Sequence, residues 1–180
     1  MKTRLPGLIM AALAVLAFGA VASACGGGGD GGGGEGLTLE RYFQRLAELD
    51  KELTERSDEL GAQLEGLSED EIREQAPGIL GGQLEVIQDF VDGLDELVAP
   101  ADVADAHERE AEAGRELERL FAEALAELRA SPDLSDPFLP FETVEMSGAG
   151  EAFTAVCREL EEIAADSDIS VDLNCREQEE

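Results

Sequence analysis

The sequence predicts an all-α fold, a four-helix bundle of up-down-up-down order, standing behind a signal peptide and a glycine-rich tether. Three observations carry that prediction. Apolar residues recur at spacings of three and four from Leu37 to Ile163, which lays one apolar stripe along each of several helices. Prolines and capping residues cut the run into helix-length pieces. The connections between the first three pieces are short, which favours antiparallel neighbours.

The chain of 180 residues divides into residues 1–24, 25–36 and 37–180. The first segment has the parts of a secretory signal: basic Lys2 and Arg4, an apolar stretch over residues 8–21, then small residues. Its end, Val21-Ala22-Ser23-Ala24-Cys25, resembles the lipobox of bacterial lipoproteins, with Ala22 where that family more often has leucine. The resemblance implies that the Cys25 thiol receives a diacylglyceryl group and that the signal is cut just before it. Two or more acyl chains, at about 0.8 kcal/mol per buried methylene, anchor a protein far more firmly than one. The alternative is an uncleaved anchor, because residues 5–24 come close to the roughly 20 that span a bilayer. Both readings place the remainder outside the cytoplasm, on the outer face of the cell membrane.

Residues 26–36 are nine glycines with Asp30 and Glu35 between them. Glycine loses the most conformational freedom on ordering, so this run predicts a flexible coil reaching roughly 20 Å.

In the first helix Leu39, Tyr42, Leu46, Leu49, Leu53, Leu60 and Leu64 form the stripe, with Thr38 as its cap. Gly66 and Ser68 end it. Ser68-Glu69-Asp70-Glu71 has the form of a capping box, so a second helix begins there and carries Ile72, Ile79, Leu80, Leu84, Ile87, Phe90, Val91, Leu94 and Leu97. Pro77 and Gly78 predict a kink or a break near Ala76, since an internal proline removes a hydrogen bond and crowds the preceding turn. Pro100 closes the element. Asp102 is the expected cap of a third helix through Val103, Ala106, Leu117, Leu120, Phe121, Ala124 and Leu128, which stops before Ser131-Pro132. Residues 133–141 hold Phe138, Leu139 and Phe141 among two prolines and read as an ordered loop packed on the bundle. A last helix is expected from about Gly150 through Phe153, Val156, Leu160 and Ile163, and the alternation of Ile169, Val171 and Leu173 predicts a short extended tail lying back on the core.

Cysteine arithmetic fits an exported protein. With Cys25 assigned to lipid, Cys157 and Cys175 remain as an even pair, and an oxidising location predicts a disulfide pinning the tail to the last helix. Two free thiols are the alternative.

Charge and motif content exclude more than they assign. There are 42 acidic against 13 basic residues, a net charge of −29, and such a surface repels phosphate backbones, so no nucleic-acid partner is expected. No Gly-x-Ser-x-Gly turn, cysteine–histidine pair or phosphate-cradling loop suggests an enzyme, and no catalytic residue or cofactor is assigned. His107 is the only histidine, so a di-metal carboxylate bundle or a zinc hydrolase lacks its ligands, and His107 reads as a polar contact near a helix start. The segment from Asp166 to Asp172, with Glu177, sets oxygen ligands at the spacing of a calcium loop, but Val171 stands where that loop needs glycine. It reads as an acidic exit loop, and no metal site is assigned.

Val98-Ala99-Pro100-Ala101-Asp102, Asp105-Ala106-His107, Cys157-Arg158-Glu159-Leu160 and Val171-Asp172-Leu173-Asn174-Cys175 together resemble uncharacterised helical lipoproteins of high-GC bacteria. The resemblance implies an architecture and an address and no activity. The expectation is a membrane-anchored, non-catalytic extracytoplasmic lipoprotein with a structural or partner-binding domain, its partner an envelope protein. The alternative is a module that holds a small apolar or cationic ligand between its helices.

Overall fold

Thr38 opens the first helix by accepting a hydrogen bond from the Arg41 backbone N–H at 3.3 Å. In the computed structural model, which describes residues 37–131 and 136–175, this helix, α1, spans Leu39–Ala62. The expected signal peptide, Cys25 and the glycine tether lie outside the described residues, as does Glu177. Helix α1 stops short of Leu64, and Gly66 makes the turn with φ at 77°, a conformation that costs a side chain but not glycine.

The capping box at Ser68 forms as expected: Ser68 Oγ accepts from the Glu71 backbone N–H, and the Glu71 carboxylate accepts from the Ser68 backbone N–H at 2.9 Å. The second helix, α2, then runs over Glu69–Glu96. Pro77 does not break it. Ala76 and Leu80, on either side of the proline, are buried against Leu125 and Leu128, and this packing outweighs the local cost of about 3 kcal/mol.

The third helix, α3, spans Ala104–Ala130, and here the expected cap is corrected. Val103 occupies the cap position in place of Asp102 and supplies no side-chain hydrogen bond, because its side chain is 1 % exposed and is used as core. A 3-10 turn, Leu139–Phe141, follows, with Phe141 tilted against Phe121 at a centroid distance of 4.7 Å, so this part of the expected loop does pack on the bundle.

The last helix, α4, spans Val144–Asp166 and starts six residues before Gly150. Thr143 caps it by accepting from the Met146 backbone N–H at 3.1 Å. Its end is a left-handed stop: the Ile169 N–H reaches back to the Ala164 carbonyl, the Asp168 N–H bonds the Ala165 carbonyl, and Asp168 takes φ of 57°. Beyond it the tail carries Leu173 into the core at 2 % exposure.

All described regular structure is therefore helical, in a four-helix arrangement in which each helix packs on the next. Arg56 bridges to Asp89 between α1 and α2, and Arg115 to Asp95 between α3 and α2, each at 2.6 Å. These bridges are partly exposed and are worth under about 1 kcal/mol each. They mark register more than they supply stability. The main core joins Tyr42, Phe43 and Leu46 of α1, Phe90, Val91 and Leu94 of α2, Ala106 and Ala111 of α3, and Val156, Leu160 and Ala164 of α4. None of the described helices is long and apolar enough to cross a membrane.

Candidate functional site, an acidic cluster in the helix core

Two carboxylates sit where the helix stripes predict apolar residues. Asp50 lies on the stripe of α1, four residues after Leu46 and three before Leu53, and is 4 % exposed. Glu110 lies on α3 midway between Ala106 and Gly114, and is fully buried. Among the described residues, nothing hydrogen-bonds Asp50 Oδ2 or either Glu110 carboxylate oxygen.

Tyr42, two helical turns before Asp50, belongs to the same cluster and is fully buried. Its hydroxyl is 3.2 Å from His107 Nδ1, and the two rings meet edge to face with centroids 5.7 Å apart. His107 is the polar contact expected near a helix start, at the half-buried edge of the cluster. Helix α4 contributes Glu161, whose Oε1 accepts from the Leu173 backbone N–H at 2.9 Å. The tail contributes Asp172, whose Oδ1 accepts from the Asn174 backbone N–H at 2.9 Å.

The electrostatics follow from burial and like charge. Burial pushes the Glu110 carboxyl up to about 8. Asp50 is held well above the usual carboxylate range, first by burial and then by the negative charges of Glu110, Glu161 and Asp172. The Tyr42 hydroxyl is raised by burial, then by Glu110 and Asp50. Burial lowers His107, partly countered by Asp95, so its imidazole is held toward the neutral form. Among the described residues, the charges that shift Asp50 are all negative.

Cys157 and Cys175 are paired at disulfide distance, with Cα atoms 5.6 Å apart, in line with the expected pairing. The bond ties the tail to α4 and so holds Asp172 near Asp50. Among the described residues no group of three or more His, Cys, Asp or Glu side chains is placed to hold a metal ion. The calcium-loop spacing around Asp166 has a different local structure: Asp166 is the last residue of α4 and Asp168 is the left-handed stop. Separately, a groove of about 430 Å³ lies between the start of α1 and the exit of α4, lined by Glu40, Phe43, Gln44 and residues 167–171.

Sequence reasoning missed Asp50 and Glu110, because acidic pairs are so frequent in this chain that any two mean little. The available signal was positional: a carboxylate on an apolar stripe, as Asp50 is among Leu46, Leu49 and Leu53, or between small residues four apart, as Glu110 is. Comparison of the chain with protein-family models, with curated proteins and with solved structures finds no match.

Proposed function

We propose that the protein is a membrane-anchored extracytoplasmic lipoprotein, held on the outer face of the cell membrane by lipid on Cys25, whose helical domain is non-catalytic and acts structurally or by binding an envelope protein. The observation that carries this reading is the run Val21-Ala22-Ser23-Ala24-Cys25 directly after an apolar leader with a basic start. The Cys157–Cys175 disulfide supports it, since such bonds persist in oxidising compartments. Metabolic labelling with palmitate tests it. Label enters the wild-type chain and not Cys25→Ser, and the mature product begins at residue 25; an unlabelled product that still begins at Met1 overturns the reading.

The groove beside Phe43 favours a second reading, a module for a small cationic ligand with an apolar part, because Glu40 and Asp168 stand on its lining beside an aromatic ring. Native mass spectrometry of the purified chain decides between them. A co-purifying small molecule lost on Phe43→Ala supports the second reading, and its absence alongside a crosslinked envelope protein supports the first.

A further inference from the structure

An ionised carboxylate in a helix core is tolerated only if a positive charge or several donors meet it. Among the described residues Asp50 and Glu110 have neither: three of their oxygens are unpartnered, and the charges that raise Asp50 are Glu110 from α3, Glu161 from α4 and Asp172 from the tail. The other titratable groups at the cluster are Tyr42 on α1 and His107 on α3, with Asp95 on α2 and Arg115 on α3 acting on His107. A metal ion needs more ligands than this pair supplies, and no third carboxylate, histidine or cysteine of the described residues is placed to join them. The one cation that needs no coordination shell is the proton.

We infer that Asp50 and Glu110 form a proton-binding site in the core, and that alkalinisation, by ionising them, drives α1 away from α3, α4 and the tail. Proton loss at Asp50 places its charge against three carboxylates carried by three separate elements. The response is therefore a loosening of the bundle around α1. The inference is independent of the lipid on Cys25, so it stands or falls separately from the proposed address.

The pH range isolates the pair. Ordinary carboxyls have pKa values near about 4 and ordinary lysines above about 10, and burial lowers His107, so that its unfolded-state titration opposes the loss by no more than about twofold. For a carboxyl raised in the folded state, stability is fully present below its unfolded value and is lost as the pH rises toward its folded value. Each such group costs about tenfold in the folding constant per pH unit across that window. Urea denaturation of the purified native chain at pH 6.5 and at pH 8 should show the folding constant fall by about tenfold or more, Glu110 alone accounting for about fifteenfold before the small opposing change from His107. The D50N/E110Q variant should lose most of this dependence. If that variant does not fold, infrared spectroscopy of the wild-type chain supplies the second reading: a protonated-carboxyl band persists at pH 7 and falls in intensity by pH 9. A flat wild-type profile, the same slope in the variant, or no such band at pH 7 overturns the inference. So does a calcium- or magnesium-induced rise in stability at pH 8 that E110Q abolishes, which would make the pair a metal site.

Discussion

Removing the Cys157–Cys175 bond tests how the tail is held. Leu173 is 2 % exposed, and full burial of a leucine returns about 2 kcal/mol, with less from Ile169 and Val171, which are only partly buried. Against this, ordering the backbone of residues 169–175 costs about 1 kcal/mol or more per residue. The Glu161 bond to the Leu173 N–H adds about 1 kcal/mol, and Asp172 near Asp50 subtracts from the total. The apolar contacts alone do not hold the tail down, so the crosslink does. Its sequence separation of 18 corresponds to about 3 kcal/mol in the chain-entropy model. The C157A/C175A chain should therefore lose about 3 kcal/mol in urea denaturation. Hydrogen exchange should also show the Leu173 amide unprotected while the amides in the middle of α2 remain slow. A loss below about 1 kcal/mol, or a Leu173 amide as protected as in the bridged chain, would refute the reasoning.

Three further substitutions probe the helix ends and the buried acids. Ser68→Ala removes one half of the capping box of α2 and should cost about 1 kcal/mol, read as a lower thermal midpoint. Asp168→Gly should stabilise the chain by about 1 kcal/mol, because it relieves a left-handed side chain and removes a negative charge from a helix C-terminus; a lower denaturation midpoint contradicts the assigned stop. Glu110→Leu should leave stability little changed near pH 4, where the carboxyl is protonated folded and unfolded alike. Above pH 8 it should be the more stable chain by up to about 5 kcal/mol, the value of one proton between 4.5 and about 8, and equal stabilities at pH 9 would show that Glu110 carries no such penalty.

What was legible in the sequence was whatever depends on local periodicity. The three-and-four spacing sets the faces of all four helices, and Thr38 and Ser68 cap as their side-chain chemistry requires. Where a local rule was overridden, contacts from distant residues decided against it. Of the kink or break expected near Ala76, the break does not occur: Pro77 stays inside α2, where Ala76 and Leu80 are buried on Leu125 and Leu128, residues some fifty positions away. Val103 displaces Asp102 from the cap because the core takes its side chain. Helix α4 starts at Val144 and not near Gly150, because Thr143 supplies the cap and neither Gly148 nor Gly150 carries the positive φ that would make glycine necessary there.

The acidic cluster lies beyond any local rule. Asp50 and Glu110 are ordinary acidic residues until the fold removes their water, and only the packing of α3 on its neighbours distinguishes Glu110 from Glu108 or Glu112, both exposed. The disulfide adds to this, since it draws Asp172 toward a carboxylate that already faces two others. Crosslink and buried acids therefore act in opposition: one holds the tail on the core, and ionisation of the other pushes it off. This predicts that cutting the crosslink weakens the pH dependence, because a released tail carries Asp172 away from Asp50. The C157A/C175A chain should be destabilised more at pH 6.5 than at pH 8.5, and a loss independent of pH would separate the two elements.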